Sequence, residues 1–253
     1  MRAVDMIWTM FWLRFTPRNR GETLQLVWVF LEPAGQILVI MMIFAIVGHT
    51  AGYGLSFALF LLTGVGTLTM VLRGMGLVSS AIVALRSTKR LAQMGPFADA
   101  LSAILFKVFT AIGYIALLAW VIGHWQHVEV WPQRPWAVAA ALGLAGLLAF
   151  GLGLVRGYCH RFAPIVTRTI NLCSRALLFL SGTFYVPSFL PPFLREWIAW
   201  NPVLHAIELM RYGFYGPGYP NLLLDVRYLA LTALGLTAFG VMLVWANRGK
   251  LYV

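Results

Sequence analysis

The chain has 253 residues, of which 60% are hydrophobic and 11% charged, with a formal net charge of +11. That composition excludes an ordinary soluble domain and describes one unit, 1–253, built from several long apolar runs. In a soluble chain the positive charge would point to nucleic acid. In a membrane chain it reflects Lys and Arg gathered in cytoplasmic loops, and no nucleic-acid partner is implied.

Residues 1–25 form an N-terminal unit. Val4, Ile7, Trp8, Phe11, Trp12 and Phe15 share one helical face, and Asp5, Thr9 and Thr16 the other. This is the pattern of a helix lying along a membrane surface, not of a cleaved signal, because Asp5 interrupts the apolar run and no small-residue cleavage site follows. Arg14, Arg18 and Arg20 then mark a cytoplasmic segment. A first span is expected over 26–47, with Glu32-Pro33 near its start. The link 49–54 has no Lys or Arg, as suits the outer side. A second span, 55–84, exceeds the roughly 20 residues a bilayer needs and must tilt or project. It carries Arg73. The segment 86–96, with Arg86, Lys89, Arg90 and Pro96, is a short basic loop between spans.

A third span is expected over 97–122. In the outer loop that follows, His124, His127 and Glu129 are too few for a metal site, and Trp125 and Trp131 read as interfacial anchors. The fourth span, 136–155, is rich in Gly and Ala, as close helix packing requires. Cys159 and Cys173 form neither a CxxC pair nor a disulfide framework. The fifth span, 165–185, differs from the others because Arg168, Asn171 and Arg175 lie on one face. Arg175 is roughly 15 Å from its start. Arg73 in the second span has comparable depth, so the two arginines either share a polar pathway surface or serve packing through snorkelling and backbone carbonyls.

Residues 186–225 cannot be a plain span. Pro187, Pro191 and Pro192 break helices. Phe193 to Trp200 is a short amphipathic run, and Asn201-Pro202 is a helix start, with Asn capping and Pro in the first position. The helix that follows should end at Gly213 and be roughly 15 Å long, half of a bilayer core. Two half-length helices around a break predict a re-entrant hairpin, the mouth or gate of a pathway. Such backbone survives at membrane depth only against protein or water. A sixth span, 226–246, ends at Arg248 and Lys250, which places both termini in the cytoplasm.

Ser181-Gly182, Tyr185, the prolines and above all Asn201-Pro202-x-x-His205-x-x-Glu208-x-x-Arg211 resemble the permease subunits of ABC type-2 polysaccharide exporters. Within that group the chain is similar to capsular polysaccharide export permeases, over nearly its whole length. The resemblance implies an all-α bacterial inner-membrane protein with six spans, an N-terminal interfacial helix and the hairpin before the last span. It implies a channel formed by two copies, moving a lipid-linked capsular polysaccharide. It makes 86–96 the coupling helix that sits on a separate ATPase subunit, present as a dimer, and it implies periplasmic co-polymerase or adaptor proteins beyond. The acidic-Pro pair at Glu32-Pro33 also has a counterpart in the family. A Pro kink with Glu at the headgroups explains it equally well.

No GxxxxGK[ST] occurs, so ATP and Mg belong to the partner subunit and this chain is expected to bind no cofactor or metal. No Ser/His/Asp or Cys/His nucleophile arrangement stands out either. His205, Glu208 and Arg211 are the one dense polar cluster, suited to helix support or gate shaping more than to catalysis. The hairpin aromatics Phe184, Tyr185, Trp197 and Trp200 either stack on sugar faces or anchor at the interface. Export of O-antigen, teichoic acid, a drug or a lipid is the alternative within the class. A membrane enzyme acting on lipid-linked sugar, or a passive channel, is the alternative outside it.

Overall fold

The computed structural model describes residues 3–15, 20–47, 56–84 and 96–251, and these are helical with no strand. In chain order the helices are α1 (Ala3–Leu13), α2 (Arg20–Val47), α3 (Phe57–Ala84), α4 (Pro96–Gln126), α5 (Pro135–Phe162), α6 (Pro164–Leu180), α7 (Pro192–Ile198), α8 (Pro202–Tyr215), α9 (Val226–Ala246) and α10 (Arg248–Leu251). Five of them, α4 to α8, open on a proline, whose missing N–H costs nothing in the first turn.

The core is organised around α5, which packs against α3, α4, α8 and α9. Its small residues let the neighbours in. A Cβ on Gly153 would sit 2.5 Å from the Cβ of Val78 in α3, and one on Gly151 would sit 2.6 Å from the backbone nitrogen of Thr237 in α9. Gly240 of α9 answers from the other side, 2.8 Å from the Leu154 Cβ in the same test. Small residues that admit a facing backbone are the means by which apolar helices associate closely. The reading of this segment as a close-packing span agrees with that geometry.

Among the described residues, four helices are long and apolar enough to cross a membrane: Phe57–Ala84, Phe97–Gln126, Pro135–Phe162 and Val226–Ala246. The two remaining expected spans are not among these four. In α2 the described apolar stretch is Leu31–Phe44, with Pro33 inside the helix. The expected span 165–185 is shorter than the sequence implied. Helix α6 has 17 residues and stops at Leu180, because Gly182 takes φ +68°, a conformation that leaves the helix. Residues 181–186 therefore form a turn.

Helix α1 lies on α4. Phe15 meets Phe106 and Phe109 at ring-centroid distances of 4.8 and 5.7 Å, and Arg14 pairs with Asp99 at 2.5 Å. The aromatic face was readable from spacing; its polar latch to α4 was not. The link 49–54, Arg18, and the loop residues Arg86, Lys89 and Arg90 lie outside the described residues. Pro96 is the first residue of α4.

Candidate functional site

The polar cluster expected at 201–211 is built on α8. Asn201 caps it: the side-chain oxygen accepts from Val203 N at 3.0 Å, while its amide donates to Ser181 Oγ at 2.8 Å and to Leu180 O at 3.3 Å. One residue thus starts α8 and ties it to the end of α6. The helix runs two residues beyond the expected stop at Gly213, to Tyr215, and Gly216 at φ +70° ends it.

Arg211 is 0% exposed. Its Nη1 donates to Gly182 O at 2.7 Å and to Tyr185 O at 3.2 Å, and its Nη2 to Thr183 O at 2.9 Å. The guanidinium lies 3.7 Å from the centre of the Phe60 ring in α3, and Glu208 approaches at 3.6 Å. The planar fork suits three carbonyls of one turn at once, which a lysine ammonium would not. Tyr219 donates to Glu208 Oε1 at 2.7 Å. Burial pushes the Tyr219 phenol well above its ordinary range, so the proton stays on the tyrosine. Below this cluster Gly64 is obligatory, since a Cβ there would lie 2.8 Å from Thr183 O and 2.9 Å from Arg211 Nη2.

His205 does not join Glu208, although the i, i+3 spacing suggested a stripe. Its Nε2 lies 2.8 Å from Ala199 O, and its Nδ1 accepts from Asp225 N at 3.2 Å. Those two partners fix the neutral tautomer with the proton on Nε2. Asp225 caps α9 by accepting from Tyr228 N at 2.9 Å. The ring of Tyr228 meets that of His205 at 5.1 Å, and its hydroxyl donates to Trp200 O at 2.7 Å. His205, Glu208 and Arg211 therefore fasten α8 to three different neighbours.

The residues expected along a pathway separate into distinct places. Arg73 does not extend a surface toward Arg175; it is paired through both terminal guanidinium nitrogens with Glu32 of α2. Arg168, Asn171 and Arg175 share an exposed face of α6, and their side chains make no hydrogen bond or ion pair with any described residue. Phe184 sits against Phe44 and Phe179, and Tyr185 donates to Phe179 O at 2.9 Å. Trp197 and Trp200 stand 80% and 79% exposed. Of these eight residues, only Trp200 lines the open cleft of about 580 Å³ between α7 and the start of α9.

Sequence reasoning passed over several polar groups. The Glu32–Arg73 and Arg14–Asp99 pairs join residues far apart in the chain, which no local spacing announces. Lys107, by contrast, was visible as a lone charge in an apolar run. It is buried in α4, with its ammonium 5.3 Å from the centre of the Tyr114 ring. Tyr114 in turn donates to Gly66 O of α3 at 2.5 Å.

Comparison with known proteins supplies the context for this geometry. Residues 6–215 match the family model described as ABC-2 type transporter. Two Escherichia coli proteins, each named polysialic acid transport protein KpsM, are 23% identical over 222 residues, 85% of this chain and 83% of theirs. The capsule polysaccharide export inner-membrane protein BexB of Haemophilus influenzae is 26% identical over 113 residues, 45% of this chain and 42% of that protein.

Proposed function

The chain belongs to the ABC-2 type transporter family, and from that premise we propose that it is the membrane subunit of an ATP-driven exporter of lipid-linked capsular polysaccharide. Two copies form the channel in a bacterial inner membrane, and a separate ATPase, also in two copies, supplies the energy. A periplasmic adaptor or co-polymerase continues the route. The observation that carries the choice of substrate is the likeness along most of the chain to polysialic acid transport proteins, joined by a likeness over 45% of it to a capsule polysaccharide export protein. The absence of a P-loop from the sequence supports a separate ATPase.

In this reading α2, α3, α4, α5, α6 and α9 are the six spans, both termini are cytoplasmic, and α7–α8 dips into the outer face. The segment 86–96 is the coupling helix. It joins α3 directly to α4, and the Arg14–Asp99 pair binds α1 to the first turn of α4. A push on 86–96 would therefore reach α1, α3 and α4 together. Ser181, Gly182, Asn201, Pro202 and Arg211 shape the gate by holding α8 against the end of α6 and against α3, while His205 and Glu208 fasten it to the start of α9 and to Tyr219. The unpaired Arg168, Asn171 and Arg175 face the pathway, where charges near the membrane interior need water or protein beside them. Several such weak contacts suit a polymer that has to leave each one.

Coupling supplies the test. Purification of the tagged chain from its own membranes should recover a P-loop ATPase in equal numbers. Reversing the charges of Arg86, Lys89 and Arg90 together should abolish that recovery, or the ATPase stimulation, while the chain still inserts. Normal export by the triple variant would remove the coupling assignment. A chain that never brings down an ATPase would remove the exporter reading itself.

A further inference from the structure

The contacts that fasten α8 run along the back of the cleft beside α7 and leave its front open. The cleft measures about 580 Å³, and its walls include Arg195, Glu196, Trp200, His205, Asp225 and Tyr228. Its back is rigid. His205 bridges Ala199 and Asp225, and Tyr228 is held by its hydroxyl on Trp200 O and by its ring on His205. The front is not committed to the fold. The side chains of Arg195 and Glu196 make no hydrogen bond or ion pair with any described residue, and Arg195 Nε is buried without an acceptor. Trp200 stands exposed at the rim although packing does not require it there.

From these features we infer that the cleft is a saccharide-binding subsite, taking one hydroxyl-rich, uncharged sugar unit against the Trp200 ring. The inference rests on the export reading above. A rigid aromatic wall with a few convergent polar groups is the usual make-up of a small-molecule site, and the volume falls in the usual range. Aromatic faces offer a sugar's C–H surface a large apolar contact at little entropic cost. The carboxylates of Glu196 and Asp225 accept from hydroxyls, and Arg195 donates to hydroxyl or ring oxygens, as charge-assisted hydrogen bonds. One cation stands against two carboxylates, so a sugar carrying its own carboxylate, or a lipid phosphate, meets net repulsion. The subsite therefore selects a neutral unit, in contrast to the cationic face of α6.

Saturation-transfer NMR on the full-length chain in phospholipid nanodiscs tests this, with neutral tetrasaccharides of glucose and of mannose and a sialic acid tetramer as probes. Trp200 is exposed and Glu196 unpaired, so Trp200→Ala and Glu196→Gln should leave the fold intact. At least one neutral probe should give a signal that falls about fivefold or more in each variant and is unchanged in Trp131→Ala, while the sialic tetramer gives much less. No transfer from any neutral probe, equal transfer in Trp200→Ala, or an equal signal from the sialic tetramer would each overturn the inference. If ATPase recovery persists while the cleft binds nothing, the subsite fails alone; if the ATPase partner is also missing, the export reading fails with it.

Discussion

Arg211 in α8 and Arg175 in α6 are the same residue type in adjoining parts of the chain, and they live in opposite environments. Arg211 is wholly buried and has three carbonyls, a ring face and a carboxylate around it. Arg175 is exposed on one face of α6 and bonds to none of the described residues. A buried guanidinium whose two terminal nitrogens both hold carbonyls is part of the framework, because withdrawing it strands the groups it served. An exposed guanidinium on the polar face of this amphipathic helix holds nothing in place, and within a membrane its cost has to be met by what passes or docks beside it. Similar motif conspicuousness thus conceals different work.

The contrast is open to substitution, beginning with the largest effect. Arg211→Met takes the paired cation from buried Glu208 and leaves three carbonyls without their donor, and should cost about 3–5 kcal/mol, seen as loss of folded protein or a large fall in melting temperature in detergent. Arg211→Lys should recover little of it, because one ammonium cannot serve the turn. A melting temperature like that of the wild type in either variant would break the comparison. Gly64→Ala drives a methyl group into Thr183 O and Arg211 Nη2, so it should cost roughly 1–3 kcal/mol without removing any charge. If it is silent, the contact between α3 and the 182–185 turn is looser than described.

Asp99→Asn weakens the partly buried Arg14 pair and should lower stability by about 1 kcal/mol or less. Exchanging the two charges, Arg14→Asp with Asp99→Arg, should restore most of it. Failure of the exchange to improve on the single Arg14→Asp variant would mean that α1 is held by its phenylalanines alone.

The parts of this arrangement that could be read from sequence are those with a local cause. Asn201-Pro202 announces the start of α8 because capping and proline geometry act within three residues. The glycines of α5 announce close packing, and the aromatic face of α1 follows from helical period. The fate of Arg211 was hidden, since its acceptors lie 26–29 positions upstream in a turn aimed by Gly182. That glycine, with Pro187 soon after, was also the missed signal that the fifth helix stops at Leu180. Arg73 misled for a related reason. Depth along a helix says how far a charge lies from the surface, but not that Glu32, 41 positions away, turns toward it.

The smallest effect on stability falls on Arg175, and it carries the central claim that the α6 face serves transport and not architecture. Surface glycan and melting temperature should be measured side by side for Arg175→Ala, Arg175→Gln and Arg175→Lys, each with its ATPase partner. The melting temperature should stay within the equivalent of about 0.5 kcal/mol of the wild type in all three. Surface glycan should fall several-fold in Ala and Gln, with Lys between them and the wild type because it keeps the charge without the planar fork. Export and stability falling together across the series, or export unchanged in Ala, would contradict the assignment.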